Sequence, residues 1–342
     1  MILDGSNHAA INAAAAALAA GELVAFPTET VYGLGADAAN DLAVAKIFEA
    51  KGRPSNHPLI VHVDDQHQGA GGVAHFAEVV PAFARQLMEA FWPGPMTLIL
   101  PRRAGVGAAA AGGQESIGLR CPAHPVAQAL LRASRVLGVM GLAGPSANQF
   151  GRVSPTTADH VAGEFGAQLL ILDGGSCSVG IESTIIDCTR GRPILLRPGA
   201  ITPEQVRVAC GQTVLTPQQV AAEGAPAPRA SGTLEAHYAP SAKVRLMDSR
   251  ALQSALDLLG SDIDRAGTAV VAVYAREMPR SKSASVLRRR MPEDAATTAT
   301  QLFAVLREFD AQGVKLIWIE TPPPGADWDA VRDRLQRASA SG

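Results

Sequence analysis

Two α/β domains, a larger one of about 200 residues and a smaller one built on a parallel sheet, are what this sequence predicts. Three observations predict it. The chain has 342 residues, long enough for two ordinary domains. Short apolar runs bounded by Gly or Pro alternate with longer amphipathic stretches through most of its length. Between Gly211 and Pro240 that alternation breaks, and AAEGAPAPRASG is small, proline-rich and aperiodic, as an extended linker would be.

The elements follow in order. Asn12–Ala20 is alanine-rich enough to be a helix on propensity alone, and Gly21 stops it. Leu23–Phe26, closed by Pro27, reads as a strand. Asn40 can cap a helix over Asp41–Ala50, with Leu42, Ala45 and Phe48 on one face. Pro58–Val63 is strand-like, then a helix spans Glu78–Phe91 and a strand Thr97–Leu100. Further strands are expected at Ile117–Arg120, Val139–Leu142, Leu169–Leu172, Ser183–Asp187 and Ile194–Arg197. Helices are expected at Pro125–Ser134, Pro155–Phe165 and Pro203–Ala209. Beyond the linker come a strand at Val244–Met247, a helix at Ala251–Leu259 and a strand at Thr268–Tyr274. A helix at Ala296–Asp310, a strand at Lys315–Glu320 and a last helix from Asp327 complete the chain. No internal repeat is present.

Composition narrows the function. A net charge of −2, with no basic tail, gives the whole chain no attractive field for nucleic acid, so an RNA contact would need a local patch. Cys121, Cys177, Cys188 and Cys210 form no Cys-x-x-Cys pair and have no histidine at ligand spacing, which argues against a thiolate metal site or a disulfide framework. The first residues lack the basic and continuous apolar regions of a signal peptide, and no run is long and apolar enough to span a bilayer. A cytoplasmic protein is the expectation.

The densest polar signal is FPTETVYGLGADA followed by KIFEAKGRPSNHPLIVHV. It sets hydroxyls, two cations and a histidine at the ends of expected strands, where open α/β sheets bind ligands. Read singly, Thr28 and Thr30 could be turn or cap residues, and Lys51 and Arg53 a solvated helix end. One detail favours chemistry: the chain has five lysines against twenty-five arginines, yet keeps Lys51 beside Arg53. Lysine and arginine are not interchangeable at phosphates. No lysine follows a glycine, so a Gly-x-x-x-x-Gly-Lys phosphate loop is excluded, and Gly69, Gly71 and Gly72 belong to no dinucleotide fingerprint.

A second cluster comprises SIGLRCP, LAGPSANQFGRVSPT, GIESTIIDC and LLRPG. Here Ser154 before Pro155 reads as a helix N-cap, Gly144-Pro-Ser as a turn, and Arg120 and Arg197 as structural ion-pair partners; taken singly, each reads as structural before catalytic.

Taken together, PTETVYGLG, KGRP…PLIVH, PGPMTLIL, GLRCPAHP, PSAN…SPT, ILDGG, GIESTI and LLRPG resemble, in order, the YrdC-type threonylcarbamoyl-AMP synthases. The likeness covers roughly residues 8–210; the second domain and HYAP (237–240) resemble the two-domain branch of that family. It implies a twisted mixed-sheet YrdC-like catalytic domain over 1–210 and a smaller Rossmann-like α/β C-terminal domain over 241–342. A linker over 211–240 would cover the active site. The implied reaction condenses L-threonine, bicarbonate and ATP, with Mg²⁺, into threonylcarbamoyl-AMP and pyrophosphate, for a downstream tRNA threonylcarbamoyl transferase complex.

The resemblance assigns Thr30, His62, Arg120, Gly144 and Ser183 to threonine. It assigns Lys51, Arg53, His57, Ser116, Ser146, Ser154, Arg197 and Tyr238 to ATP, with Lys51 and Arg53 as the catalytic charges. Two departures stand out. ASGTLEA precedes HYAP where many relatives have Pro-Gly, and Gly144 stands where alanine is common, a change expected to matter little. Two rivals remain: an RNA-binding module reading A-form shape, and a carbamoyl-adenylate enzyme with another acceptor.

Overall fold

The computed structural model describes residues 1–65, 71–221, 228–232, 237–265, 270–281, 283 and 285–340. The middle of the expected linker, the four residues before His237 and the start of the strand expected from Thr268 lie outside them. The chain divides into two compact units: Met1–Phe150 with Ser154–Thr233, and Gly151–Val153 with Leu234–Gly342.

The first unit is built on a mixed sheet in which ten strands are described: β1 (Ile2–Asp4), β2 (Val24–Phe26), β3 (Gly33–Asp37), β4 (Ile60–His62), β5 (Met96–Pro101), β6 (Ser116–Arg120), β7 (Leu142–Ala143), β8 (Leu170–Asp173), β9 (Thr184–Asp187) and β10 (Ile194–Arg197). Their order is β1-β8-β2-β3-β7-β4-β6-β5-β9-β10. Parallel pairs (β4 with β6, β5 with β9) alternate with antiparallel ones (β5 with β6, β9 with β10), so the sheet is mixed, as the resemblance implied. Two apolar cores flank it. One gathers Tyr32, Leu34, Ile47, Phe76, Leu87 and Leu119; the other packs helices His8–Ala19 and Pro125–Val136 against Val24, Phe26 and Leu172.

Several boundaries move for identifiable reasons. The first helix starts at His8 because Asn7 caps it, accepting from Ala9 N. The helix expected from Pro155 begins at Ala158: Thr157 is its N-cap, and the Ser154 hydroxyl instead donates to Glu182. Ser154 is therefore not a cap. β1 and β3 escaped the sequence reading because one is three residues long at the chain start and the other, GLGAD, carries two glycines. Those glycines face Phe26: a Cβ on Gly35 would lie 2.9 Å from its ring.

The second unit holds β11 (Lys243–Met247), β12 (Val271–Ala275), β13 (Val286–Arg290) and β14 (Leu316–Glu320), all parallel, in the order β11-β14-β12-β13. Helix Ser249–Arg265 sets Leu252, Leu256 and Ile263 against Val271, Val273 and Trp318. β13 was not expected, because its three exposed arginines carry no apolar alternation.

Candidate active site

Five neighbouring strands, β4-β6-β5-β9-β10, carry His62, Ser116, Arg120 and Arg197, and Ser183 immediately precedes β9; the other candidates lie off these strands. His62 ends β4 and Arg120 ends β6; the parallel register sets them opposite each other, so both side chains leave the same face. Both are buried. The Arg120 guanidinium donates from Nη1 to Thr30 Oγ1 (2.8 Å), from Nη2 to Glu29 Oε1 (2.6 Å) and from Nε to the Gly94 carbonyl (3.3 Å). A guanidinium has five N–H groups, so one remains on each terminal nitrogen, a free fork of the kind that fits a carboxylate. Arg120 is thus both readings at once: an ion-pair partner for Glu29 and an unspent fork.

Thr28 is a turn residue. Its Oγ1 donates to Val31 O and accepts from the backbone of Thr30 and Val31, and it lies 2.9 Å from Thr30 Oγ1. That turn fixes where Thr30 presents its hydroxyl.

His62 is held neutral. Burial and the nearby Arg120 charge push its imidazole down to about 3, against the opposing pull of a hydrogen bond with the Leu142 backbone. Its ring meets Phe26 edge-on, and among the described residues Nδ1 has no hydrogen-bond partner. A Cβ on Gly144 would lie 2.8 Å from that nitrogen, so the missing methyl makes room for the ring.

Ser183 joins the threonine candidates to the ATP candidates. Its Oγ lies 2.7 Å from Thr97 Oγ1 on β5 and accepts from Arg197 Nη2 at 3.1 Å; Arg197 Nε also donates to the Ser183 carbonyl. A register irregularity between Leu195 and Arg197 lets Arg197, not its predecessor, pair with Ile185. Bulges of this kind re-aim side chains.

Lys51 and Arg53 are not a solvated helix end. Helix Asp41–Lys51 finishes at Gly52 in the left-handed region (φ 61°), where its N–H caps the last turn and the chain reverses. A Cβ at Gly52 would meet nothing within 4 Å, so backbone conformation selects this glycine rather than space. The reversal buries both cations. Lys51 Nζ donates to the carbonyls of Ser146 (2.6 Å) and Asn148. Burial first, then the Arg53 charge, drives the Lys51 ammonium well below the ordinary lysine range, with Glu164 opposing. An arriving phosphate would reverse that shift. Arg53 donates to Pro58 O (3.0 Å) and lies over the Phe150 ring, which His57 meets edge-on. Burial and the Arg53 and Arg229 charges lower the His57 imidazole. Ser116 opens β6 and lines a cavity beneath residues 229–231.

With that geometry in view, likeness to known proteins is informative. Residues 16–199 match the family model described as telomere recombination (Sua5, yciO, yrdC), and residues 201–340 match the threonylcarbamoyl-AMP synthase C-terminal domain. A Bacillus subtilis threonylcarbamoyl-AMP synthase is 38% identical, over 98% of this chain and 94% of its own. The Pyrococcus abyssi enzyme of the same name is 36% identical, over 96% and 94%.

The chain belongs to the threonylcarbamoyl-AMP synthase family.

Membership makes it an enzyme that forms threonylcarbamoyl-AMP. A solved P. abyssi Sua5 complexed with L-threonine superposes with a TM-score of 0.84 at 36% identity, covering 97% of this chain and 95% of that one. A double variant of the same protein gives 0.86 at 34%, covering 99% and 96%.

Of the candidates in this synthase, Tyr238 alone belongs to the second unit. Its backbone is left-handed (φ 60°), and its buried ring stacks on Phe303 (5.5 Å between centroids) under the Arg334 guanidinium. Sequence reasoning missed Glu29, Thr97, Asn148 and Glu182. Each is buried and touches a candidate: Arg120, Ser183, Lys51 and Ser154 in turn. Glu29 and Asn148 stood inside the quoted motifs PTET and PSAN, but a lone carboxylate or amide gives no signal until its partner is known. Among the described residues, no group of three or more His, Cys, Asp or Glu is placed to hold a metal ion, and no helix is long and apolar enough to cross a membrane.

Proposed function

We propose that the chain is a nucleotidyltransferase that makes threonylcarbamoyl-AMP and pyrophosphate from L-threonine, bicarbonate and ATP in the cytoplasm. The observation that carries this is Ser183, whose hydroxyl lies within hydrogen-bond reach of Arg197 while Arg120 and His62 pair across β6 and β4 and Thr30 accepts from Arg120. Reacting groups held on the two sets would be neighbours, and positioning supplies much of such a barrier.

In this reading the free Arg120 fork takes the threonine carboxylate. Thr30, neutral His62 and the Gly144 backbone shape the side-chain pocket. Threonine's amine and bicarbonate give N-carboxythreonine with loss of water. A carbamate oxygen then attacks the α-phosphorus of ATP, the P–O bond to the β-phosphate breaks, and pyrophosphate leaves. Lys51, Arg53 and Arg197 offset the phosphate charge, and Ser116, Ser146, Ser154 and His57 complete the nucleotide set within the first unit. No protein nucleophile is required.

Mg²⁺ fits as an ion bound chiefly by nucleotide phosphates and water, where it would neutralise charge; such sites need only one or two protein oxygens. Residues 228–232 lie against this site, which supports a covering role for the linker. The product would pass to a tRNA threonylcarbamoyl transferase complex.

The test is pyrophosphate release from ATP and Mg²⁺ with threonine and bicarbonate omitted in turn. Release that needs both, with threonylcarbamoyl-AMP seen by mass spectrometry, is expected. Release indifferent to threonine would overturn the reading, and salt-dependent RNA binding without turnover would install the RNA-binding alternative.

A further inference from the structure

Residues 228–232 run across the face of β6, β5 and β9, and two sets of hydrogen bonds to them are described. At Ser231 the partners are the nucleotide-site cations themselves: Arg197 Nη1 donates to the Ser231 carbonyl (2.9 Å), and Arg53 Nη2 lies 3.5 Å from its hydroxyl. At Arg229 the partners belong to the turn before β6. Arg229 N donates to Gln114 Oε1 (2.9 Å), Gln114 Nε2 donates back to Arg229 O (3.2 Å), and Arg229 Nη2 donates to Gly112 O (3.1 Å).

The Gln114 amide therefore imitates one rung of an antiparallel β-ladder, donating to and accepting from a single residue. The turn behind it is firm. Leu59 N donates to Ala110 O, Arg102 Nε donates to Gln114 O, and a Cβ on Gly112 would lie 2.7 Å from Asn56 O. Between the segment and the floor of Ile60, Thr97, Ser116 and Ile185, the cavity has a volume of only about 10 Å³. That is room for about one water molecule.

We propose that Gln114 is a positioning residue of the nucleotide site: its amide holds residues 228–232 across Arg197 and Arg53, and nucleotide gains the site only when that pairing opens. The proposal rests on the assignment of Arg53, Arg197 and Ser116 to ATP. A phosphate and the Ser231 oxygens compete for the same N–H groups, so nucleotide binding and the closed segment oppose each other. Gln114 touches neither substrate in this arrangement; it sets the population of the closed form. A ligand that needs the minor, open form has its apparent affinity reduced by that form's fraction. Loosening the rung should therefore tighten apparent ATP binding.

Gln114→Ala in the full chain tests this against wild type. Two readouts apply: amide hydrogen exchange across 228–232, and KM for ATP measured separately from kcat. The rung predicts roughly tenfold faster exchange at Arg229 and a KM for ATP lowered about three- to tenfold. Gln114→Glu, which keeps the acceptor but loses the donor, should fall between. Unchanged exchange and unchanged KM in a folded variant would overturn the proposal, as would a raised KM. If wild type releases no pyrophosphate, the functional reading fails, while exchange at Arg229 still decides whether Gln114 holds the segment.

Discussion

The two ends of the site solve the problem of burying charge differently. At the threonine end, Arg120 is paired with Glu29, itself buried and further held by Ala123 N (3.0 Å). At the nucleotide end, Lys51 is buried too, but it donates to the carbonyls of Ser146 and Asn148. A carboxylate partner is a permanent counter-charge, so the fork it leaves free is preorganised. Neutral oxygens are a provisional partner, which phosphate oxygens can replace with a gain in Coulomb energy. The first end is rigid by ion pairing; the second waits for its anion.

Removing the cation should break the two ends unequally. Arg120→Ala leaves Glu29 buried without its counter-charge, at about 3–5 kcal/mol of folding stability. It also removes the carboxylate fork, so kcat/KM for threonine should fall on the order of a thousandfold. Thermal unfolding and steady-state kinetics read both losses, and Arg120→Lys, which keeps charge but not fork, should restore more stability than threonine affinity. Lys51→Ala comes next. It should cost about a hundredfold in kcat/KM for ATP. The stability loss should be smaller, about 1 kcal/mol per hydrogen bond, because Lys51 donates to two neutral carbonyls. Equal losses of Tm in the two variants would refute the contrast.

How much of this was legible in the sequence follows the same division. The helix expected over Asp41–Ala50 was readable because Asn40 caps it locally; Gly52, which ends it one residue later, was not read, and Leu42, expected on its buried face, is exposed. The Lys51–Arg53 pair stood out for the same reason: a residue choice made against the local preference for arginine. The Glu29–Arg120 pair spans 91 residues and the Lys51–Asn148 contact 97, and no local pattern encodes such a meeting. Ser154 shows the cost of local reading: Ser-Pro is a sound cap signal, but a tertiary partner, Glu182, claims the hydroxyl, and Thr157 takes the cap. β13 shows the reverse, a strand whose place comes from backbone pairing with β12 while its sequence reads as a charged loop.

The threonine end should also carry a pH signature absent from the nucleotide end. His62 titrates near 3 when folded and near 6.5 when unfolded. Between those values the unfolded chain binds the extra proton, so this contribution is complete above about pH 6.5 and shrinks as pH falls toward 3. The slope approaches about 1.4 kcal/mol per pH unit. Denaturant unfolding of wild type against His62→Gln at pH 7.5 and 5.5 should show the wild-type margin narrowing by about 1 kcal/mol at the lower pH. A margin independent of pH would mean that His62 is not held neutral.

The smallest expected effect tests the finest feature of that rigid end. Alanine at position 144 was expected to matter little, yet the geometry argues otherwise for this chain. A methyl there would lie 2.8 Å from His62 Nδ1 and 3.1 Å from Phe26 Cζ. Phe26 is packed in the core, so the imidazole is the group that must yield. Overpacking of this size costs about 1–3 kcal/mol where neighbours are fixed, and less where one ring can turn. Gly144→Ala should therefore raise KM for threonine about three- to tenfold and leave KM for ATP unchanged, since Lys51 is fixed by the Ser146 and Asn148 carbonyls. Equal effects on both substrates would show that the two ends are one mechanical unit, and the contrast between them would have to be abandoned.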